Sequence, residues 1–352
     1  MAFCKNKIST LHYNTEILIT IESVAQDMNN WSESTLETWE CLRAAQFQQI
    51  SNIVLLLLVI LGVCGNVLSY ITFIIRKPPT LATVYLKALA VADTTLLVIV
   101  LVRLLLNHIP LDNQVIESVT VLLFYVLDDI ARFTSVWITV LLAFSRLLAI
   151  CNPFFVKTHI GTKTITKSVI AVVVSACMIV AARMWMVIKR EVKTCKNDTR
   201  CTFCADFEVP QTRIIEISFY GGLLFLLPTL LLVVFSGSLL VNLKRSVARW
   251  CHPHLQQEYR NITKTVLVIV LVFFLTYTPF GVVAVIYLNP YLHYHFDTNI
   301  CDESILYEYM GLAIYLNSSV NFLIYMVCHA SFRESFSQLI CKKSAPCAAS
   351  VC

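Results

Sequence analysis

The chain has 352 residues, 57% hydrophobic and 14% charged, with mean hydropathy +0.72. Soluble domains are about half apolar and about a quarter charged, so membrane segments precede any soluble-domain reading. The net charge of +5 is dispersed, which argues against a nucleic-acid surface; no phosphate loop or internal repeat is present, and Cys251, His252 and His254 lack a second zinc-ligand pair.

Residues 1–48 are polar and mixed and form an expected extracellular tail. Met1-Ala2-Phe3-Cys4-Lys5 has no apolar stretch of the kind that heads a cleavable signal peptide. Asn30-Trp31-Ser32 is a glycosylation acceptor pattern if the tail lies outside the cell.

A spanning helix needs about 20 mostly apolar residues. Seven such runs follow, near 50–75, 82–107, 119–151, 164–188, 213–243, 262–288 and 304–328. They predict an all-α fold, a seven-transmembrane helix bundle over 49–330, followed by a tail at 331–352. Arg76, Lys77, Lys157, Lys163, Lys167, Lys244, Arg245, Arg249, Arg260, Lys264, Arg333, Lys342 and Lys343 follow the first, third, fifth and seventh runs. They put those linkers and the C-terminus in the cytoplasm, and the N-terminus outside. Lys189, Arg190, Lys193, Lys196 and Arg200 crowd one outer loop against that rule. The same loop carries Asn197-Asp198-Thr199, a second acceptor pattern. Asn261-Ile262-Thr263 falls on the cytoplasmic side and is read as chance.

The third run ends in Ser145-Arg146-Leu147, then Cys151-Asn152-Pro153. An uncompensated cation at mid-bilayer costs roughly 2.5–3.5 kcal/mol, so Arg146 should sit near an interface or face the bundle interior. The alternative is a snorkelling arginine with no further role. Asn152-Pro153 ends the helix, because proline disfavours helical geometry in the residue before it. In 331–340, Phe332, Phe336, Leu339 and Ile340 share one helical face, which predicts a short amphipathic eighth helix on the membrane. Cys341, Cys347 and Cys352 then read as palmitoylation candidates or as free thiols.

Hydrocarbon offers no water to polar groups, so those inside the runs are informative. They are Gly65-Asn66 in the first, Asp93 in the second, Pro228 in the fifth, Tyr277-Thr278-Pro279 in the sixth, and Asn317-Ser318-Ser319-Val320-Asn321 with Tyr325 in the seventh. In this order around Arg146, they resemble the rhodopsin-like G-protein-coupled receptors over about 50–340. Ser145 stands where that family has an acid, Leu147 where it has an aromatic, Tyr277 for a tryptophan, Phe322 for a proline and Ser236 for a tyrosine. Within the family, Thr134–Val140 and Asn317–Phe322 look like invertebrate FMRFamide and myosuppressin receptors. Asp128, Asp129, Arg132, Trp137 and Ala143-x-x-Arg146 also look like the nematode W-class serpentine receptors.

The resemblance implies a non-enzymatic plasma-membrane receptor. Its expected partners are a short extracellular peptide of the amidated, FMRFamide-like kind, a heterotrimeric G protein, arrestin and the lipid bilayer. Arg146, Asn152, Pro153 and Tyr325 would serve G-protein coupling. Asp93, Ser135, Asn317, Ser318 and Asn321 match the family's site for an allosteric sodium ion; an ion-free hydrogen-bonded network is the alternative. Asp128, Asp129 and Arg132, with Glu216, Tyr277 and Tyr307, are candidate ligand-pocket residues, and an internal Asp128–Arg132 ion pair is the competing reading. The family's bridge from the outer end of helix three is missing, because Val121 occupies that position. Cys4, Cys41, Cys195, Cys201, Cys204 and Cys301 fall outside, where bridges form. Since helices one and seven are neighbours in the family, a Cys41–Cys301 bond is expected, with a second bond within 195–204. A chemosensory receptor for small environmental molecules and an amine receptor are the alternatives within the fold. A multi-pass transporter is the alternative outside it, although neither two similar halves nor paired broken helices are visible.

Overall fold

The computed structural model describes residues 33–75, 81–106, 114–195, 221–246, 253–288 and 300–341, with the backbone alone at several helix ends. Every regular element among them is helical. The helices are α1 (Glu33–Ile75), α2 (Leu81–Leu106), α3 (Gln114–Cys151), α4 (Pro153–His159), α5 (Thr162–Cys195), α6 (Leu227–Ser246), α7 (Pro253–Leu288), α8 (Ile300–Ser319), α9 (Asn321–Cys328) and α10 (Ala330–Cys341). Six are long and apolar enough to cross a membrane, and α8 with α9 make a seventh span bent by 44°.

Several helices outrun the apolar runs. α1 starts at Glu33, inside the stretch that reads as tail, and α5 continues to Cys195, into the cationic outer loop. α7 begins at Pro253, in what reads as a linker. These ends are polar, and a helix needs no apolar run to persist. Asn152 does break the chain of helix, but only for one residue. Pro153 then opens α4, because a proline at the first position forfeits an N–H that would be unpaired anyway.

α3 is the axis of the bundle. Two-thirds of its apolar window is buried inside the protein (67%), against 44% or less for the other single-helix spans. It packs against α2, α5, α6 and α7, while α1 packs against α2, α8, α9 and α10. Outward-facing side chains such as Leu61, Leu230 and Leu275 remain exposed and apolar. Lipid tails are as apolar as leucine, so helix association rests on close packing rather than on hydrophobic burial. Glycines supply that closeness. A Cβ on Gly62 would lie 2.9 Å from the Ser319 Cα and 2.6 Å from Leu97 Cδ1. One on Gly65 would lie 2.8 Å from Phe322 Cβ, and one on Gly281 would overlap the Phe225 ring. Phe225 reaches Gly281 from a π turn at Gly222–Leu226, just before Pro228.

The α8–α9 bend occurs without the family's proline, at Val320. Ser319 Oγ donates back to the Tyr315 carbonyl at 2.8 Å, a bond that tends to bend helices. Below the bend, Phe322, Tyr325, Phe332, Phe336 and Phe73 form an aromatic joint that fixes α10. Phe332 is fully buried, with its ring centroid 5.0 Å from Phe73 and 5.5 Å from Tyr325. Arg333 Nη1 caps α9 by donating to the Met326 and Val327 carbonyls, at 3.0 and 2.9 Å.

Candidate functional site

The polar positions form three levels along α3. The middle level is centred on Asp93, which is completely buried. Ser135 Oγ on α3 donates to one carboxylate oxygen at 2.6 Å, and Asn321 Nδ2 on α9 donates to the other at 2.6 Å. The Ser318 hydroxyl also bonds this carboxylate. Asn66 Nδ2 ties α1 in by donating to the Ser318 carbonyl at 2.8 Å and the Gly62 carbonyl at 2.9 Å. Thr276 Oγ1 reaches Asn317 Oδ1 at 3.5 Å from α7. Four of the five expected ion-site residues therefore meet directly, and Asn317 borders them.

Among the described residues no basic side chain pairs with Asp93. A buried carboxylate with three donors and no cation is chemically suited to a hard monovalent ion, and Asn66 Oδ1, buried and without a hydrogen-bond partner, offers a further oxygen nearby. The donor set thus fits sodium.

The outer level carries charge. Asp128 accepts from Arg132, one turn along α3, and Asp129 accepts from Arg183 on α5. The Tyr315 hydroxyl on α8 donates to the second Asp128 oxygen at 3.3 Å and accepts from Arg103 Nη2 on α2 at 3.5 Å. The Arg132 guanidinium lies 6.0 Å over the Tyr315 ring. Of the two readings of Asp128, the internal pair with Arg132 is the one the structure adopts, so a ligand guanidinium would have to compete for it. Tyr277 lies buried beneath this level, stacked on Phe273 at 4.5 Å.

At the inner level Arg146 is buried, 5% exposed, facing the bundle rather than lipid. Ser145 cannot serve as its counter-ion and instead donates to the Leu142 carbonyl at 2.8 Å. Asn152 and Pro153 are exposed where α3 gives way to α4. Tyr325 is fully buried, 5.2 Å from Phe73, and its hydroxyl has no hydrogen-bond partner among the described residues.

Glu216, Cys201, Cys204, Asn30 and Asn197 lie outside the described residues, as do the side chains of Tyr307, Cys41, Cys195, Cys301 and Cys341. Cys64, Cys151, Cys177 and Cys328 are free thiols.

A family model described as 7 transmembrane receptor (rhodopsin family) matches residues 65–325, about three-quarters of the chain and all three polar levels. The chain belongs to that family. The rhodopsin-family relatives include somatostatin receptor type 2 of Mus musculus, 22% identical over 294 residues, covering 80% of this chain and 74% of the relative. Somatostatin receptor type 5 of Rattus norvegicus is 27% identical over 296 residues, covering 81% and 76%. Somatostatin receptor type 1 of Rattus norvegicus is 22% identical over 287 residues, covering 80% and 69%.

As a rhodopsin-family receptor, the chain is a multi-pass membrane protein. Three outer-level residues are missing from the sequence reading: Arg103, Arg183 and Tyr315. Two of them carry a signal, since a basic residue inside an apolar run is a functional-site candidate by default. Tyr315 carries none, because a tyrosine in an apolar run looks like packing.

Proposed function

We propose that this receptor resides in the plasma membrane with its N-terminus outside, binds a short extracellular peptide, and signals through a heterotrimeric G protein. The observation that carries the reading is the outer charged level of a rhodopsin-family bundle, where Arg103, Asp128 and Arg132 meet Tyr315 and Asp129 pairs with Arg183, drawing on α2, α3, α5 and α8. An extended peptide presents several polar groups, which suits several fixed charges better than one small amine does. The relatives are by name receptors for somatostatin, a peptide, which supports the same class. The likeness of 134–140 and 317–322 to FMRFamide receptors makes amidated peptides of that kind the first ligands to test.

The middle level would hold a sodium ion through Asp93, Ser135, Asn317, Ser318 and Asn321. Bound there, the ion supplies the positive charge that Asp93 lacks and ties α2, α3 and α8–α9 in one arrangement. Arg146, Asn152, Pro153 and Tyr325 serve the G-protein side, arrestin docks on the same side, and a palmitoyl chain on Cys341 would anchor α10. The test is expression with a promiscuous G protein and a parallel screen of amidated peptides, amines and small volatiles. A response to amidated peptides is expected; a response to a volatile or an amine alone would replace the peptide reading.

A further inference from the structure

We propose that Arg103, beside Tyr315, forms an outer subsite that takes a carboxylate of the ligand. The proposal deepens the peptide reading and rests on it.

Among the described residues of this level, three guanidiniums share two carboxylates. Arg132 holds Asp128 and Arg183 holds Asp129. Arg103 makes no direct ion pair: among the described residues its polar contact is the neutral Tyr315 hydroxyl, at 3.5 Å, which stands between it and Asp128. That distance is at the outer limit of a hydrogen bond. The tyrosine's own proton is turned away, toward Asp128 at 3.3 Å. Glu308, on α8 outward of Tyr315, is held by Ser51 Oγ at 3.3 Å and makes no ion pair with Arg103.

The surroundings sharpen the imbalance. Arg103 is half-buried, in the last turn of α2 before the outer end at Leu106. Its partner Tyr315 belongs to an apolar cluster with Val100, Leu104 and Leu312. A cation in such a place loses hydration, and only an anion restores comparable stabilisation. The guanidinium fork matches a carboxylate in a two-bond geometry near 2.7–2.9 Å, far better than the contact it now makes. Arg103 is partly exposed, one turn from the end of α2. The same charge balance works against an amine, since both aspartates already have arginine partners.

The carboxylate has two sources in a peptide, the free C-terminus and an acidic side chain. Four small probes separate them on the purified full-length receptor, read by its thermal unfolding midpoint at millimolar probe. Acetyl-phenylalanine is compared with acetyl-phenylalaninamide, and acetyl-aspartyl-phenylalaninamide with its asparaginyl counterpart. Each acid should stabilise the receptor more than its neutral twin, and the larger shift identifies the source. Arg103→Gln should weaken acid binding at least about tenfold and leave the neutral twins unchanged, with Arg103→Lys in between. Equal shifts for acid and neutral twin, or an acid shift untouched in Arg103→Gln, would overturn the subsite. If Arg103→Gln does not fold, the wild-type comparison decides alone. Peptide-stimulated nucleotide exchange on the same preparation separates this from the broader reading. Acid-bearing peptides acting with equal potency on wild type and Arg103→Gln would overturn the subsite and keep the peptide ligand. An acid-dependent shift with no peptide response would do the reverse.

Discussion

Asn321 and Asp93 lie 228 positions apart in the chain, yet the asparagine amide nitrogen sits 2.6 Å from the aspartate carboxylate. That bond crosses from α9 to α2 just below the α8–α9 bend, so whatever changes the charge at Asp93 acts on the hinge of the seventh span. A sodium ion bound at Asp93 would strengthen the arrangement described here, and agonist would have to work against it. By linkage, sodium should weaken agonist affinity, and agonist should weaken sodium binding by the same factor. Asp93→Asn should abolish that dependence in agonist-competition assays with sodium against a large organic cation. Wild-type affinity indifferent to sodium would exclude an allosteric ion here.

The helix contacts make a second, ligand-free prediction. Gly62→Ala forces its new methyl against the Ser319 backbone, and overpacking of this kind typically costs about 1–3 kcal/mol. The thermal midpoint and surface expression should both fall. Gly237 in α6 has nothing within 4 Å of the place an added Cβ would take, so Gly237→Ala should be neutral or stabilise by up to about 1 kcal/mol. Equal stabilities for the two variants would show that α1 does not pack as closely on α8 as described.

The spans are legible because hydrocarbon demands long apolar runs, and Asp93, Asn321 and Arg146 because each stands out against one. The early start of α1 at Glu33 and the extension of α5 to Cys195 are not legible; solvated helix carries no apolar signature. The bend at Val320 has no sequence mark once Phe322 replaces the family's proline; Ser319, beside it, bonds back to the Tyr315 carbonyl. The partner of Asp129 is hidden for a different reason. Arg183 lies on another helix, and which faces of α3 and α5 meet depends on helix rotation that no local pattern encodes.

Arg146 is the test of coupling. It is buried at the inner end of α3, with a serine rather than an acid beside it. Arg146→Ala should abolish agonist-stimulated nucleotide exchange while surface expression persists. Restoring the family's acid with Ser145→Asp should lower ligand-independent exchange. Full signalling from Arg146→Ala would remove this residue from the coupling surface.

α1 packs directly on α8, which makes the Cys41–Cys301 bridge geometrically testable. Non-reducing peptide mapping should recover the two cysteines in one cross-linked fragment. Recovery of both as free thiols would rule the bond out.

The Asp128–Arg132 pair yields the sharpest energetic prediction. Both side chains are largely shielded, 6% and 16% exposed, so each ion draws on the other for part of the stabilisation that water would otherwise give. Removing one partner of a buried pair typically destabilises by about 3–5 kcal/mol, because it strands the other charge. Removing both with similar shapes can be nearly neutral. Asp128→Asn should therefore lower the thermal midpoint more than the double variant Asp128→Asn/Arg132→Gln does. Tyr315 moderates the single loss, since its hydroxyl can still donate to an asparagine oxygen, and Arg132 keeps its place over the ring. Tyr315→Phe on the Asp128→Asn background should remove that relief and deepen the loss. A double variant as unstable as the sum of its two single variants would mean that the pair is not coupled, and that Asp128 is free to take a cation from the ligand after all.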